Sequence, residues 1–292
     1  MSPMRSFAYG SNLDPADLDR WCASRGVPRV TLDRPVRGFL PDRRLAFSHR
    51  STTRGGGVLD VVDAPGHAVE GIMFAVSDRA LEILDRKESS GHVYRRVPRT
   101  ILTEDGLASE ASVYEVEPGR RLPHVPPAAE YLEIVRRAYA AHGIDAAALD
   151  AAAEDERAPG PVAHLFVYGT LMSGESRAHV LPAHGAALAG SGSVPGRLID
   201  LGDHPGLLLG GDGSCVEGEL HRLREREALF RETDGIEGFP GYDRSPWVYR
   251  RAIVSARTSA GGSVRAWVYI YDGPPGRSRI LRSGSWRVKD VP

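Results

Sequence analysis

The sequence contains little cysteine and no long apolar segment. Its 292 residues include only two cysteines, Cys22 and Cys215, which lie in different halves of the chain. This usage excludes a disulfide framework and a Cys-x-x-Cys metal site, and it favours a reducing, cytoplasmic location. No apolar run approaches the ~18 residues of a membrane-spanning helix. Charged residues scattered through the first thirty positions argue against a signal peptide.

The sequence also lacks an excess of charge of either sign. Lys and Arg number 37 and Asp and Glu number 38, which leaves a formal charge of -1. This balance provides no electrostatic reason to bind nucleic acid or an anionic membrane. We therefore expect a small-molecule partner.

Several catalytic motifs are absent. The sequence has no complete Gly-x-Ser-x-Gly elbow, no Gly-x-x-x-x-Gly-Lys-Ser/Thr phosphate loop, no Gly-x-Gly-x-x-Gly turn and no His-Glu-x-x-His. His179 and His184 have no thiolate or carboxylate close to them in sequence, so they do not predict a metal site. Neither a metal nor a cofactor is expected.

What the sequence does contain is a repeat, since five short landmarks occur twice in the same order. FAYGSNL at Phe7 to Leu13 corresponds to FVYGTLM at Phe166 to Met172. The later pairs join residues 36–40 to 194–198, 69–73 to 216–220, 84–88 to 233–237, and Tyr94-Arg95-Arg96 with Tyr114 to Tyr249-Arg250-Arg251 with Tyr269. A shared order of this length is hard to obtain by chance, so the chain consists of two related halves.

Composition predicts where the halves meet. Residues 146–153 are rich in alanine, residues 154–157 are charged, and Ala158-Pro159-Gly160-Pro161 breaks any helix. We expect a first domain at 1–153, a linker at 154–162 and a second domain at 163–292.

Periodicity predicts α+β domains, because strands and helices mix without regular βαβ alternation. Short apolar runs after Met4 and His164 end at glycine, which is typical of a buried strand feeding a tight turn. A helix capped by Ser77 is predicted up to Arg86, and residues 220–232 repeat its apolar spacing. Further predictions are strands at 94–102, 111–116, 249–256 and 264–271, a two-residue hairpin turn at Gly261-Gly262, and a helix at 126–149.

Each half pairs a glycine turn with a glutamate that follows a helix. The N–H groups of such a turn can bind a carboxylate or a developing oxyanion. Taken singly, a plain tight turn and a solvated glutamate are the ordinary interpretations. Glu88 and Glu237 nevertheless occupy equivalent places in the repeat, and each precedes a Tyr-Arg-Arg strand. Their repetition favours a functional pair.

These residues resemble the γ-glutamylcyclotransferase-like family over nearly the whole chain, in two copies. The first half, with Tyr-Gly-Ser-Asn-Leu and Leu-Asp-x-x-Glu, is similar to the γ-glutamylcyclotransferases proper. The second half, with Tyr-Gly-Thr-Leu-Met and Asp-Gly-Ile-Glu-Gly, is similar to the γ-glutamylamine cyclotransferases and to the butirosin-type γ-glutamyl cyclotransferase. The resemblance implies a tandem pair of small mixed β-barrels with flanking helices and a cavity at each barrel mouth.

The resemblance also implies roles for individual residues. Glu88 and Glu237 correspond to the catalytic carboxylates. The implied substrate-binding residues are Tyr9, Gly10, Ser11, Asn12, Leu13, Tyr94, Tyr114, Tyr168, Gly169, Thr170, Leu171, Met172 and Tyr249. Ser89 departs from the usual glycine of the family, and the second half lacks the Ser-Asn pair. The oligomeric state stays open, and a monomer with two pseudo-equivalent domains fits the pattern.

The implied reaction is cleavage of a γ-glutamyl amide by its own α-amine, which releases 5-oxoproline and a free amine. Closing a five-membered lactam needs orientation and proton transfer but no separate nucleophile. Two alternatives stay open: a non-catalytic γ-glutamyl-binding or scaffold protein of the same fold, and an amidohydrolase that uses water. We expect activity in at least one half and prefer the second.

Overall fold

The computed structural model describes residues 4–158, 160–210, 213–244, 247–274, 276 and 278–288. The chain divides into two compact units, one with residues up to Ile101 and Ser109–Pro161, the other with Leu102–Ala108 and residues from Val162 onward. The predicted domain limits at 153 and 163 stay a prediction. No helix in the described part of the chain is long and apolar enough to cross a membrane.

The first half is built around a closed barrel of five strands. They are β1 (Met4–Ala8), β2 (Asp33–Ser51), β3 (Gly56–Val76), β4 (Tyr94–Leu102) and β5 (Ala108–Val116), in the order β1-β3-β2-β4-β5. Strand β1 runs antiparallel to β3 and parallel to β5, so it closes the barrel. The helices are α1 (Pro15–Ser24), α2 (Asp78–Lys87), α3 (Ala129–His142) and α4 (Ala147–Ala153), with 3-10 turns at Ser11–Leu13 and Pro118–Arg120.

The second half repeats this plan. Its elements are β6 (His164–Val167), α5 (Val180–Ala183), β7 (Ala187–Asp200), β8 (Pro205–Leu209), β9 (Cys215–Arg222), α6 (Arg226–Glu237), β10 (Tyr249–Thr258), β11 (Ser263–Tyr271) and β12 (Arg279–Leu281). Strands β10, β11, β6, β9 and β7 are neighbours in that order, and pairing of β10 with β7 closes them into a barrel. Strands β8 and β12 both pair with β7. The predicted tandem α+β architecture is confirmed.

A glycine at the same place in each barrel explains one landmark of the repeat. A Cβ atom on Gly71 of β3 would lie 2.3 Å from the carbonyl oxygen of Ala8, and one on Gly218 of β9 would lie 2.2 Å from that of Val167. Atoms cannot approach so closely, so any side chain here would push β1 or β6 away. These glycines hold each buried strand against its neighbour, directly before the Tyr-Gly turn.

Most predicted elements are confirmed. Ser77 caps α2, since its Oγ accepts a hydrogen bond of 3.1 Å from the N–H of Ala80. The strands that begin at Tyr94 and Tyr249 are also present. Apolar residues on one side of α2 and α6 pack inward, among them Leu84 and Phe230. Packing of this face brings the C-terminal end of each helix, and its glutamate, to the barrel.

Three element predictions were wrong in part. Residues 220–222 belong to β9, because they complete the ladder with β6 and β7, and the helix begins only at Arg226. The helix predicted at 126–149 is divided, since Gly143 adopts a left-handed conformation that ends α3. The β10–β11 turn is longer than two residues: Arg257 pairs with Ser263, and both intervening glycines have positive φ.

Candidate active sites

In the second half, three tyrosine hydroxyls bind the backbone or a carboxylate around the glycine turn. Tyr168, in the turn after β6, donates a hydrogen bond of 2.7 Å to the carbonyl of Tyr269. The Tyr269 hydroxyl donates to Oδ1 of Asp234 at 2.6 Å, and the Tyr249 hydroxyl donates to the carbonyl of Pro205 at 2.8 Å. These bonds join the turn, the end of α6 and two strands into one frame.

The first half contains the same frame. Tyr9 donates to the carbonyl of Tyr114 at 2.5 Å, Tyr114 donates to Oδ1 of Asp85 at 2.8 Å, and Tyr94 donates to the carbonyl of Leu59 at 2.8 Å. Burial is the main cause that raises the pKa of Tyr9 well above its usual value, and the same holds for the pKa of Tyr168. Both hydroxyls therefore stay protonated and act as donors.

A cavity in the second half brings the turn and the glutamate together. It is lined by Phe166, Val167, Tyr168, Gly169, Thr170, Leu171, Arg177, His204, Pro205, Ile236, Glu237, Tyr249 and Tyr269. Glu237 is the last residue of α6. Within the described residues, the backbone N–H groups of Thr170 and Leu171 donate to no other protein atom. The cavity therefore combines one carboxyl group with two adjacent donors.

The environment of Glu237 changes its acidity. Burial raises the pKa of Glu237 to about 7, the positive charge of Arg177 opposes this rise, and the negative charge of Asp234 adds to it. A carboxyl group with a pKa near neutrality can both accept and return a proton at physiological pH. Arg177 is exposed, and its guanidinium forms no hydrogen bond or ion pair within the described part of the chain.

In the first half, Glu88 also contacts its glycine turn. It caps the C-terminus of α2, and its Oε1 accepts a hydrogen bond of 2.9 Å from Nδ2 of Asn12. The ammonium of Lys87 lies 2.8 Å from Oδ1 of Asn12, 3.3 Å from Oε1 of Glu88 and 3.4 Å from Oγ of Ser11. The side chain of Lys87 is only 5% exposed. A cation therefore occupies the space between turn and glutamate.

Not every residue named from the sequence lies at a site. The side chain of Leu13 is in the core, with 1% exposure. Met172 is also buried and lines a different cavity of the second half, which includes Glu219. Sequence reasoning missed Lys87 and Arg177. Lys87 had a signal, since it adjoins Glu88 in a repeated landmark, whereas Arg177 lies in a loop without any pattern.

Comparison with known proteins adds the family. Residues 6–133 and 165–288 match the family described as "Gamma-glutamyl cyclotransferase, AIG2-like". The chain belongs to this family. Membership therefore extends over both halves, in agreement with the repeat and with the two barrels.

Individual relatives of the γ-glutamyl cyclotransferase family cover one half each. The γ-glutamylaminecyclotransferase of Rattus norvegicus is 37% identical over 119 residues, which are 37% of this chain and 77% of the rat protein. The γ-glutamylcyclotransferase family protein YtfP of Escherichia coli K12 is 29% identical over 127 residues, or 43% of this chain and 97% of YtfP. A crystal structure of an AIG2-like protein from Mus musculus is 32% identical and covers 39% of this chain and 80% of its own, with a TM-score of 0.33.

The histidines of this γ-glutamyl cyclotransferase family member make contacts that its sequence hides. Nε2 of His184 lies 2.6 Å from Oε2 of Glu232, which α6 brings close although it is 48 residues away in the chain. Across the described ranges, no three His, Cys, Asp or Glu side chains form a group that could hold a metal ion.

Proposed function

We propose that this protein is a γ-glutamyl cyclotransferase whose second half cleaves a γ-glutamyl amide and releases 5-oxoproline and a free amine. Family membership supports the reaction class. One observation carries the assignment to the second half: Glu237 lines the same cavity as the turn at Tyr168 to Leu171, and its pKa is raised to about 7. These are the position and the acidity that the reaction needs.

The first step activates the nucleophile. The α-amine of the substrate is an ammonium at neutral pH, so the Glu237 carboxylate takes one of its protons. The neutral nitrogen then attacks the γ-carbonyl carbon within the same molecule, which forms the five-membered ring and a tetrahedral oxyanion. No enzyme nucleophile takes part, because the substrate supplies its own.

The second step expels the amine. The protonated Glu237 returns its proton to the nitrogen of the scissile amide, the C–N bond breaks, and the γ-carbonyl forms again as a lactam. The products together contain all atoms of the substrate. One carboxyl group thus performs both proton transfers.

Other groups of the cavity bind charge. The N–H groups of Thr170 and Leu171 suit the oxyanion, because preorganised backbone donors stabilise charge that develops during the reaction. The guanidinium of Arg177 suits the α-carboxylate of the substrate, since both its donors and its charge complement a carboxylate. Such contacts would recognise the γ-glutamyl part and leave the amine side to vary.

The test is a panel of γ-glutamyl amides with different amine parts, followed by mass spectrometry of the products. We expect 5-oxoproline, which is lighter than glutamate by one water. Glu237→Gln keeps the shape of the side chain but cannot carry the proton, so activity should fall by about 10²–10⁴-fold. Glu227→Gln is the matched control, because Glu227 is exposed in the first turn of the same helix.

The other outcomes would contradict the proposal in different ways. Formation of glutamate would show attack by water and an amidohydrolase. Binding of γ-glutamyl amides with no product would leave a binding protein. Full activity in Glu237→Gln would remove the proposed proton carrier from the second half.

A further inference from the structure

Equivalent positions next to the two glutamates hold side chains of opposite character. Lys87 precedes Glu88 and Ile236 precedes Glu237, within the repeated landmark that ends α2 and α6. The glycine turns differ in the same sense, since Asn12 of the first half corresponds to Leu171 of the second. The cavity of the second half is thus apolar at two points where the first half is polar.

The contacts of Lys87 satisfy its ammonium fully. Its three donors reach Asn12, Glu88 and Ser11 at 2.8, 3.3 and 3.4 Å. Glu88 in turn accepts from Asn12 and carries the ion pair with Lys87. Because the Lys87 side chain is only 5% exposed, water cannot easily replace these contacts. The group is a closed network of turn, lysine and glutamate.

This network has the arrangement expected of a bound substrate ammonium. In the proposed reaction, an ammonium must lie against the glutamate and beside the turn before it loses a proton. Lys87 already places an ammonium there, and two cations do not share one carboxylate without repulsion. The paired Glu88 is also held as a hydrogen-bonded carboxylate and has no proton to return to a leaving amine.

We infer that Lys87 occupies the substrate-ammonium position of the first half and thereby keeps that half out of the reaction, so that the chain has a single working site at Glu237. This inference rests on the proposed function for the identity of the substrate. It also predicts that one substitution can restore the first site, because Glu88, Asn12 and the glycine turn are all present.

Activity measurements use three variants of the full chain. Glu237→Gln should release no 5-oxoproline above background. The pair Lys87→Gln and Glu237→Gln should release at least tenfold more than Glu237→Gln alone, and adding Glu88→Gln should remove that gain. In the reverse exchange, Ile236→Lys should lower the activity of the second half at least tenfold, while Ile236→Leu, the matched control, should keep it. Melting curves show whether each variant is folded.

Binding measurements separate this inference from the proposed function. Titration calorimetry with γ-glutamyl ethylamide in the Glu237→Gln background should show one more binding site after Lys87→Gln than before it. An unchanged number of sites would overturn the role of Lys87. So would Glu88-dependent release of 5-oxoproline by Glu237→Gln alone, although the cyclotransferase reaction would then stand. If the wild-type protein converts no γ-glutamyl amide, the proposed function fails, and the number of sites still decides about Lys87.

Discussion

The hydroxyl of Tyr269 donates a hydrogen bond of 2.6 Å to Oδ1 of Asp234, three residues before Glu237. Nε of Arg251 lies 2.9 Å from the same oxygen, and Thr233 Oγ1 lies 2.7 Å from the Tyr269 hydroxyl. Strands β10 and β11 thereby fix the last turn of α6. The position of Glu237 is therefore set by the barrel as much as by the helix that carries it.

Removing this hydroxyl should disturb the site more than the fold. Tyr269→Phe keeps the ring but leaves Asp234 without one donor, so we expect the free energy of unfolding to fall by about 1–2 kcal/mol. The value of kcat should fall several-fold more than KM changes, because Glu237 loses part of its support. Denaturant unfolding and steady-state kinetics measure the two effects. Tyr271→Phe, in the same strand, is the control, and an equal loss of kcat in it would contradict the argument.

The activity should depend on pH through Glu237. Its carboxylate must form before it can take a proton, so kcat/KM should rise as the pH increases through about 7. The charge of Arg177 lowers the pKa of Glu237, and Arg177→Gln should therefore move this rise to higher pH. A pH–rate profile of both proteins measures the shift. A rise centred near the usual pKa of a glutamate, or the same midpoint in both proteins, would be the contrary result.

The same pKa shift affects stability. Folding raises the pKa of Glu237 from 4.5 to about 7, so the folded protein binds the proton more tightly than the unfolded chain does. Stability from this group is thus greatest below pH 4.5 and is lost as the pH rises through about 7. At pH 8, Glu237→Gln should be more stable than wild type by ~2 kcal/mol, and at pH 4 this advantage should vanish. Denaturant unfolding at both pH values provides the check, and a constant difference would exclude the linkage.

A second carboxylate should stabilise the second half with the opposite pH dependence. Burial alone would raise the pKa of Glu219, but the Ser173 backbone N–H, Arg287, His221 and the Ser173 hydroxyl lower it to about 2. Its contribution to stability is therefore present above pH 4.5 and is lost as the pH falls toward 2.

Truncating this side chain leaves Arg287 and His221 without their shared partner. Glu219→Ala should cost about 3 kcal/mol at pH 7, because breaking a buried ion pair leaves its other groups uncompensated. Glu217→Ala, two residues earlier and exposed, should cost less than about 0.5 kcal/mol. Equal losses in urea unfolding experiments would disprove the role given to Glu219.

Two glycines of the second half should respond oppositely to alanine. Gly218→Ala should destabilise by about 3 kcal/mol or more, because its Cβ would meet the carbonyl oxygen of Val167 at 2.2 Å. Gly235→Ala should stabilise by about 0.5–1 kcal/mol, since Gly235 lies inside α6 with no atom within 4 Å of the added carbon. Melting temperatures of the two variants decide, and a shift of the same sign in both would refute the assignment.

Local patterns allowed much of the fold to be predicted. The repeat of Tyr9 to Leu13 at Tyr168 to Met172 predicted two equivalent halves, because the same turn follows the same buried strand in each barrel. The capped helix after Ser77 and the strands at Tyr94 and Tyr249 also depend on neighbouring residues. The errors arose where distant pairing decides: Leu220 fits an apolar helical spacing, but it lies in β9 because β6 and β7 pair on both sides of it.

The sequence by itself determined that two related α+β halves exist, and that each offers a tyrosine-glycine turn and a glutamate. These features are local or repeated, so spacing alone reveals them. Only the tertiary structure decided how the two glutamates differ. Lys87 reaches Asn12 and Glu88 across 75 residues of chain and one residue respectively, while Glu237 faces a cavity with Ile236 beside it. Charge and burial at a site depend on which side chains the fold brings together, and linear spacing does not contain that information.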